Sequence, residues 1–458
     1  MLTQLRIQNF KAWRDTGMVR LAPITVFFGT NSSGKTSLLQ LLLMLKQTAE
    51  SPDRRRVLHF GDRNSLIDLG TFHDLVFRHD EKQPIKFDLE WNIEDSLEIL
   101  DVLRKKWSFH GSRIHFQSTV QGPLPLTVRE MNYVIYEDSS KISVSMKPKS
   151  ETKAKYEIRT YGYELKRNPG RVWNLPPPSR FYGFPDEAIA YYQNSSFLAD
   201  LALKMENVLQ SIHYIGPLRE YPQRAYIWSG EIPEDVDQKG GRAVEAILAA
   251  IGRKLNRGFR KRSESFMEVI VRWLRDMGLI DSFQVKAIAS NRKEHEVLIK
   301  TIRSESEVNL TDVGFGLSQV LPVIVQCFYT PRNSILIFEQ PEIHLHPSVQ
   351  ASLADLFVEA IASREKDENR RIQILVESHS EHFLRRLQTL IAEEKLQQDD
   401  VALFFCESGP EGSTIRALEL NEHGKIKNWP VNFFGDITGE VEKQARSILQ
   451  RSQATAKA

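Results

Sequence analysis

Two glycines five positions apart, followed at once by a lysine and a threonine, open the case: Gly29-Thr30-Asn31-Ser32-Ser33-Gly34-Lys35-Thr36. This spacing fits the Walker A pattern of phosphate-binding loops. The glycines let the chain curl so that successive amides face an anion. A helix that starts just after them turns its positive end to the same anion. Lys35 would reach the β- and γ-phosphates, and the Thr36 hydroxyl offers the hard oxygen that Mg²⁺ prefers. The candidate nucleotide-binding residues are therefore Gly29, Asn31, Ser32, Ser33, Gly34, Lys35, Thr36 and Ser37.

A second cluster follows three hundred residues later, where the apolar run Ser334-Ile335-Leu336-Ile337-Phe338 ends in Glu339-Gln340-Pro341-Glu342. An acid at the end of a buried strand is what a P-loop protein uses to complete its Mg²⁺ site, so Thr36 and Glu339 are the expected metal ligands. The next position ordinarily carries the carboxylate that orients the attacking water, and here it is Gln340. A glutamine positions water but cannot take its proton, so turnover is expected to be slow unless Glu342 substitutes. A third run, Ile372-Gln373-Ile374-Leu375-Val376, ends in Glu377-Ser378-His379, where His379 could hydrogen-bond the γ-phosphate. His344-x-His346 admits a weak zinc reading against the plainer one of a turn.

The elements that must hold these groups are legible around them. Leu5 to Phe10 alternates apolar and polar with period two, as a half-buried strand does. Ile24-Thr25-Val26-Phe27-Phe28 is β-branched and aromatic without alternation, which suits a strand covered on both faces. An apolar helical run follows Lys35 as far as Leu45. Short strands are expected between 85 and 159, and helices at 194–212, 242–255 and 264–277, before strand-helix alternation resumes. The expected organisation is one α/β head split in two: residues 1–80 and 300–440, interrupted at 81–299 by an insertion, with a tail at 441–458. The insertion is expected to be β-rich over 81–175 and mostly helical over 190–280.

Composition limits the alternatives. The 458 residues carry 61 Lys+Arg against 59 Asp+Glu, a net charge of +2, which excludes a histone-like or acidic-tail protein. No segment approaches the ~20 apolar residues that span a bilayer, and no apolar leader opens the chain, so a cytoplasmic protein without a membrane partner is expected. Two cysteines, Cys327 and Cys406, cannot frame a disulfide scaffold or a four-cysteine zinc site.

Taken together, the glycine loop, the Glu339 strand and His379 resemble the ABC-type ATPase heads of the OLD and SMC/recombination-repair group. That resemblance implies an α/β P-loop head with a mixed sheet, ATP and Mg²⁺ as cofactors, and a dimer that sandwiches nucleotide between two heads. It implies that Leu310-Thr311-Asp312-Val313-Gly314-Phe315-Gly316-Leu317-Ser318-Gln319 acts as the loop one head lends to the other, through Gly314, Gly316, Ser318 and Gln319, with Ser318 as a helix N-cap. The usual LSGGQ string is absent. VGFGLSQVLP, EQPEIHLHP, HYIGPLREYP and NWPVNFFGD narrow the resemblance to a bacterial stand-alone subfamily with its own C-terminal segment, similar to ATPase components of the PARIS and Septu phage-defence systems. A sensor or switch for a partner effector is what this implies. Alternatives remain: a DNA-repair ATPase, disfavoured by the missing heptads, and an OLD-like nuclease. For the latter, ILVESHSE resembles the glutamate strand of a TOPRIM domain, with Asp399 and Asp400 as the later acids.

Secondary signals are weaker. His73 lies where such proteins sense Mg²⁺, and Phe10 to Trp13 could stack on adenine or be core. Arg219 could face phosphates, a partner subunit or a structural salt bridge. Arg54-Arg55-Arg56, Arg104-Lys105-Lys106 and the 257–262 cluster leave nucleic-acid contact open, although charge runs usually form solvated faces.

Overall fold

The computed structural model describes residues 1–100, 108–149, 155–170, 174–258, 262–302, 306–430, 433 and 443–448. One sheet runs in the order Ile212–Ile215, Ile335–Glu339, Gln373–Glu377, Ile24–Gly29, Val401–Gly409, Gly412–Ala417. Its first five strands are parallel, and the last closes an antiparallel hairpin. The continuous apolar runs read from the sequence are central strands here, buried along their whole length.

Their side chains divide by parity. Phe27, Ile337, Leu375 and Phe404 point into one core with the helix Lys35–Glu50. Val26, Phe28, Leu336, Phe338 and Val376 point into another, against Phe315–Tyr329, Pro347–Ala362 and Glu381–Ala392. Lys35–Glu50 is buried on nearly every side, as its all-round apolar sequence requires. The reason is a second sheet on its far side, antiparallel, in which Leu2–Phe10 pairs with Ile85–Leu100 and the order continues through Ser108–Gln121, Thr127–Glu137, Ser140–Pro148 and Tyr156–Tyr161.

The stretch 81–175, set apart in the sequence as an insertion, thus shares its sheet with the first strand, Leu5 opposite Leu89 and Ile7 opposite Phe87. Its strands are also longer than the short ones expected, reaching 16 residues in Ile85–Leu100. The helix expected over 242–255 ends at Ala249. Gly252 then takes φ 91°, and the chain turns into the strand Lys254–Asn256. Residues 443–448 of the expected tail are helical and exposed, and the rest of 441–458 lies outside the described residues. No helix among the described residues is long and apolar enough to cross a membrane.

Candidate nucleotide-binding site

The five parallel strands bring their carboxyl ends to one edge, where open α/β sheets bind ligands. Gly29 ends the central strand at φ 144°, and a Cβ there would lie 2.1 Å from the Cys406 carbonyl oxygen. Only glycine fits so close to a neighbouring backbone. Gly34 caps the helix in a left-handed conformation, φ 85°. Between them Asn31 and Ser32 are exposed, while Ser33 is buried with a hydroxyl that has no partner. Ser37 spends its hydroxyl on the Gly34 carbonyl, 2.7 Å away. Lys35, 3% exposed, folds across its own loop. Its Nζ donates to the Gly29 and Thr30 carbonyls at 3.2 and 2.7 Å and lies 3.9 Å from Glu377 Oε1.

Glu377 is the residue that sequence reasoning missed. Its Oε2 accepts the Thr36 hydroxyl at 2.8 Å. Glu339, the acid expected beside Thr36, stands one strand further out, in register with Glu377, and accepts the Tyr214 hydroxyl at 3.0 Å. Glu342 lies against the residues that follow Glu377, where its Oε1 accepts the Ser378 hydroxyl and the His379 amide at 2.9 and 2.6 Å, leaving Oε2 buried without a partner among the described residues. The signal for Glu377 was present: like Glu339 it ends a buried strand.

Burial raises the pKa of all three carboxyls. Glu339 is carried to about 7 by burial first and the charge of Glu377 second. Close, buried like charges of this kind fit a divalent cation. Among the described residues no three His, Cys, Asp or Glu side chains converge on a metal position, so an all-protein cage is not the arrangement. A threonine hydroxyl with one or two carboxylates is the set that suits Mg²⁺, which keeps much of its water shell. Burial, then the Lys35 charge, depresses the His379 pKa, which keeps that ring neutral at neutral pH. Gln340 takes a left-handed φ of 44°, and its amide donates to the Glu377 carbonyl at 2.9 Å.

Several expectations are corrected. Ser318 is not an N-cap: the helix Phe315–Tyr329 starts after Gly314, and the Ser318 hydroxyl donates to the Phe315 carbonyl at 2.8 Å. A separate 3-10 turn, Leu310–Asp312, capped by Asn309, precedes it. Gly314 is exposed, Gly316 is partly so, and Ser318 and Gln319 are buried. Trp13 has no free face for adenine, being fully buried with its Nε1 donating to the Gly34 carbonyl at 3.0 Å. His346 caps the helix Pro347–Ala362, and His344 sits edge-on to Phe315, so the two do not form a metal pair.

Asp399 and Asp400 precede the strand Val401–Gly409, at the edge opposite Glu377, so the TOPRIM arrangement is absent. The contacts of His73 run to Asp74 and to His79, on which it stacks at 4.3 Å. Arg54, Arg55 and Arg56 are exposed, Arg257 is paired with Glu264, and 104–106 lies outside the described residues. Among the described residues Arg219 forms no salt bridge within 4.0 Å, and it is buried.

No curated protein matches the chain. Among solved structures, an SMC head bound to the C-winged helix domain of ScpA is similar over 92% of this chain and 98% of that one, at 12% identity and TM-score 0.41. The SMC head domain from Thermotoga maritima covers 91% and 99%, at 10% and 0.38. An SMC head with an extended coiled coil, bound to the C-terminal domain of ScpA derived from Pyrococcus furiosus, covers 99% of each, at 11% and 0.39. Residues 396–444 match a protein family of unknown function, DUF3696. Residues 1–168 and 250–384, more than half of the chain and including the glycine loop, Glu339 and Glu377, match the AAA ATPase domain, and the protein belongs to that family.

Proposed function

We propose that this chain binds ATP with Mg²⁺ at the carboxyl edge of its parallel sheet, hydrolyses it slowly, and uses the bound state to self-associate and switch a partner effector. The observation that carries the reading is the 2.8 Å hydrogen bond from Thr36 to Glu377, beside Lys35 and in register with Glu339. In this reading the loop amides and Lys35 hold phosphate oxygens, and Lys35 exchanges its carbonyl partners for them. Thr36, Glu377 and Glu339 would hold Mg²⁺, which when bound neutralises charge on the phosphates. Gln340 orients water without taking a proton, and the neutral His379 donates to the terminal phosphate. Glu342 fixes the His379 backbone through its amide.

Self-association is supported by the surface around the helix that starts after Gly314. Phe315 is exposed there, with the exposed ring of Tyr221 at 5.5 Å. An apolar pair in solvent at a helix N-terminus suits a second copy closing on it. The role as a sensor in anti-phage defence rests on the sequence resemblance to PARIS and Septu components. The test is phosphate release and light scattering, with and without ATP, on wild type and Lys35→Ala. Wild type is expected to release phosphate and gain mass with ATP, and Lys35→Ala to do neither. Phosphate release by Lys35→Ala at the wild-type rate would remove the loop from the account.

A further inference from the structure

The residues 216–220 follow the strand Ile212–Ile215, which runs parallel to the Glu339 strand with Ile215 beside Phe338. They therefore emerge at the same edge as the glycine loop and the carboxylates. The segment is pinned at both ends: the Gly216 amide donates to the Gln238 carbonyl at 2.8 Å, and the Glu220 amide to the Lys239 carbonyl at 2.9 Å. Along this segment and the residue after it the usual preference is inverted. Leu218 and Tyr221 are each 75% exposed, whereas Arg219 is 8% exposed. A leucine in water beside a buried arginine needs a reason, because arginine is almost never buried unless paired.

Among the described residues Arg219 is not paired. Its Nε and Nη1 are buried without a hydrogen-bond partner. The groups that act on it are Tyr214, Glu339 and Glu342, and burial depresses it to about 10, so it remains a cation at neutral pH. A guanidinium carries five donors in a planar fork suited to phosphate. Among the strands, the one that leads to Arg219 lies beyond the Glu339 strand, on the side away from Gly29. An anion that reaches from the loop across the carboxylates meets Arg219 last.

We propose that Arg219 is a γ-phosphate ligand acting in cis, gripping the terminal phosphate from the side away from the glycine loop. A diphosphate, one group shorter, would not reach it. The inference rests on the nucleotide reading above and adds to it a means of telling ATP from ADP.

Calorimetric titration of the full chain with Mg²⁺ and either a non-hydrolysable ATP analogue or ADP tests it. Arg219→Gln is expected to weaken the analogue roughly ten- to hundredfold, the worth of a charge-assisted contact, with ADP changed less than about twofold, and Arg219→Lys to recover part of the loss. Equal weakening of both ligands, or no change in either, overturns the inference. Should Arg219→Gln fail to fold, Arg219→Lys is read in its place: a lowered triphosphate-to-diphosphate preference supports the assignment and an unchanged one overturns it. Lys35→Ala separates the two levels. If wild type binds neither ligand, or Lys35→Ala binds both as well as wild type, the nucleotide reading itself fails. If those controls behave and the preference is unmoved in the Arg219 variants, only this inference falls.

Discussion

Glu339 and Glu377 stand side by side, in register, at the carboxyl ends of neighbouring parallel strands. Strands in a sheet lie about 4.8 Å apart, so two carboxylates share one small, buried volume. Tyr214 donates to one and Thr36 to the other, and Lys35 faces only Glu377 closely. The charge is therefore left short of a cation.

Without divalent ion, this pair should make the fold weaker as pH rises. The folded state holds Glu339 protonated up to about 7, against an ordinary value of 4.5. Across that interval the folded protein keeps a proton that the unfolded chain has released, so stability falls between about pH 4.5 and about pH 7. Melting temperature measured in chelator should decline over that window, and Glu339→Gln should flatten the decline. A wild-type profile that rises instead would show that the pair is compensated some other way.

Glu377→Gln separates stability from activity. Removing one of two buried like charges should raise the melting temperature of the metal-free protein. It should also cut Mg²⁺-dependent turnover on the order of a hundredfold, about 2.7 kcal/mol of barrier. Phosphate release at several Mg²⁺ concentrations reads the second effect. Turnover equal to wild type would place the metal away from Glu377.

Gln340→Glu introduces a base beside the loop. Its backbone amide already donates to the Glu377 carbonyl, so the substituted side chain keeps the same origin. Turnover is expected to rise roughly tenfold or more, short of the ~10²–10⁴-fold that a fully positioned general base contributes. No rise would mean that Glu342, or no carboxylate at all, activates the water.

Phe315→Asp puts a charge on the exposed rim of the Gly314 helix. It should leave nucleotide affinity within about twofold while abolishing the ATP-dependent gain in mass, because a rim substitution away from the core costs little fold stability. A dimer that persists at the same concentration would move the interface elsewhere.

How much of this was readable beforehand depends on how local the information is. Gly29, Lys35 and Thr36 carry their chemistry in a contiguous string, and the strand and helix that frame them have distinct periodicities. Glu339 is legible as an acid ending an apolar run. Glu377 ends such a run too, but its meeting with Thr36 depends on which strand lies beside Ile24–Gly29, a pairing across 350 residues that no local pattern encodes. The burial of Arg219 is equally nonlocal, since a Gly-Pro-Leu-Arg turn looks solvated in isolation. Ser318 was misplaced for a different reason: the helix starts after Gly314 with no side-chain cap, so a serine that looks like a cap by type falls inside the first turn. The continuity of 81–175 with the first strand was hidden because sheet membership is a matter of register, not of composition.

The strand that ends in Gly29 has for neighbours Gln373–Glu377 and Val401–Gly409, and the Cys406 carbonyl presses against Gly29 itself. During synthesis, residues 24–29 emerge long before their flanking partners at 373–377 and 401–409. The phosphate cradle consequently has no folded form until the Val401–Gly409 strand has left the ribosome. Closing so long a span is slow relative to local pairing, whereas Leu2–Phe10 finds Ile85–Leu100 early. A truncated product ending before the Val401–Gly409 strand would thus carry the complete glycine loop in sequence and no competent cradle in space.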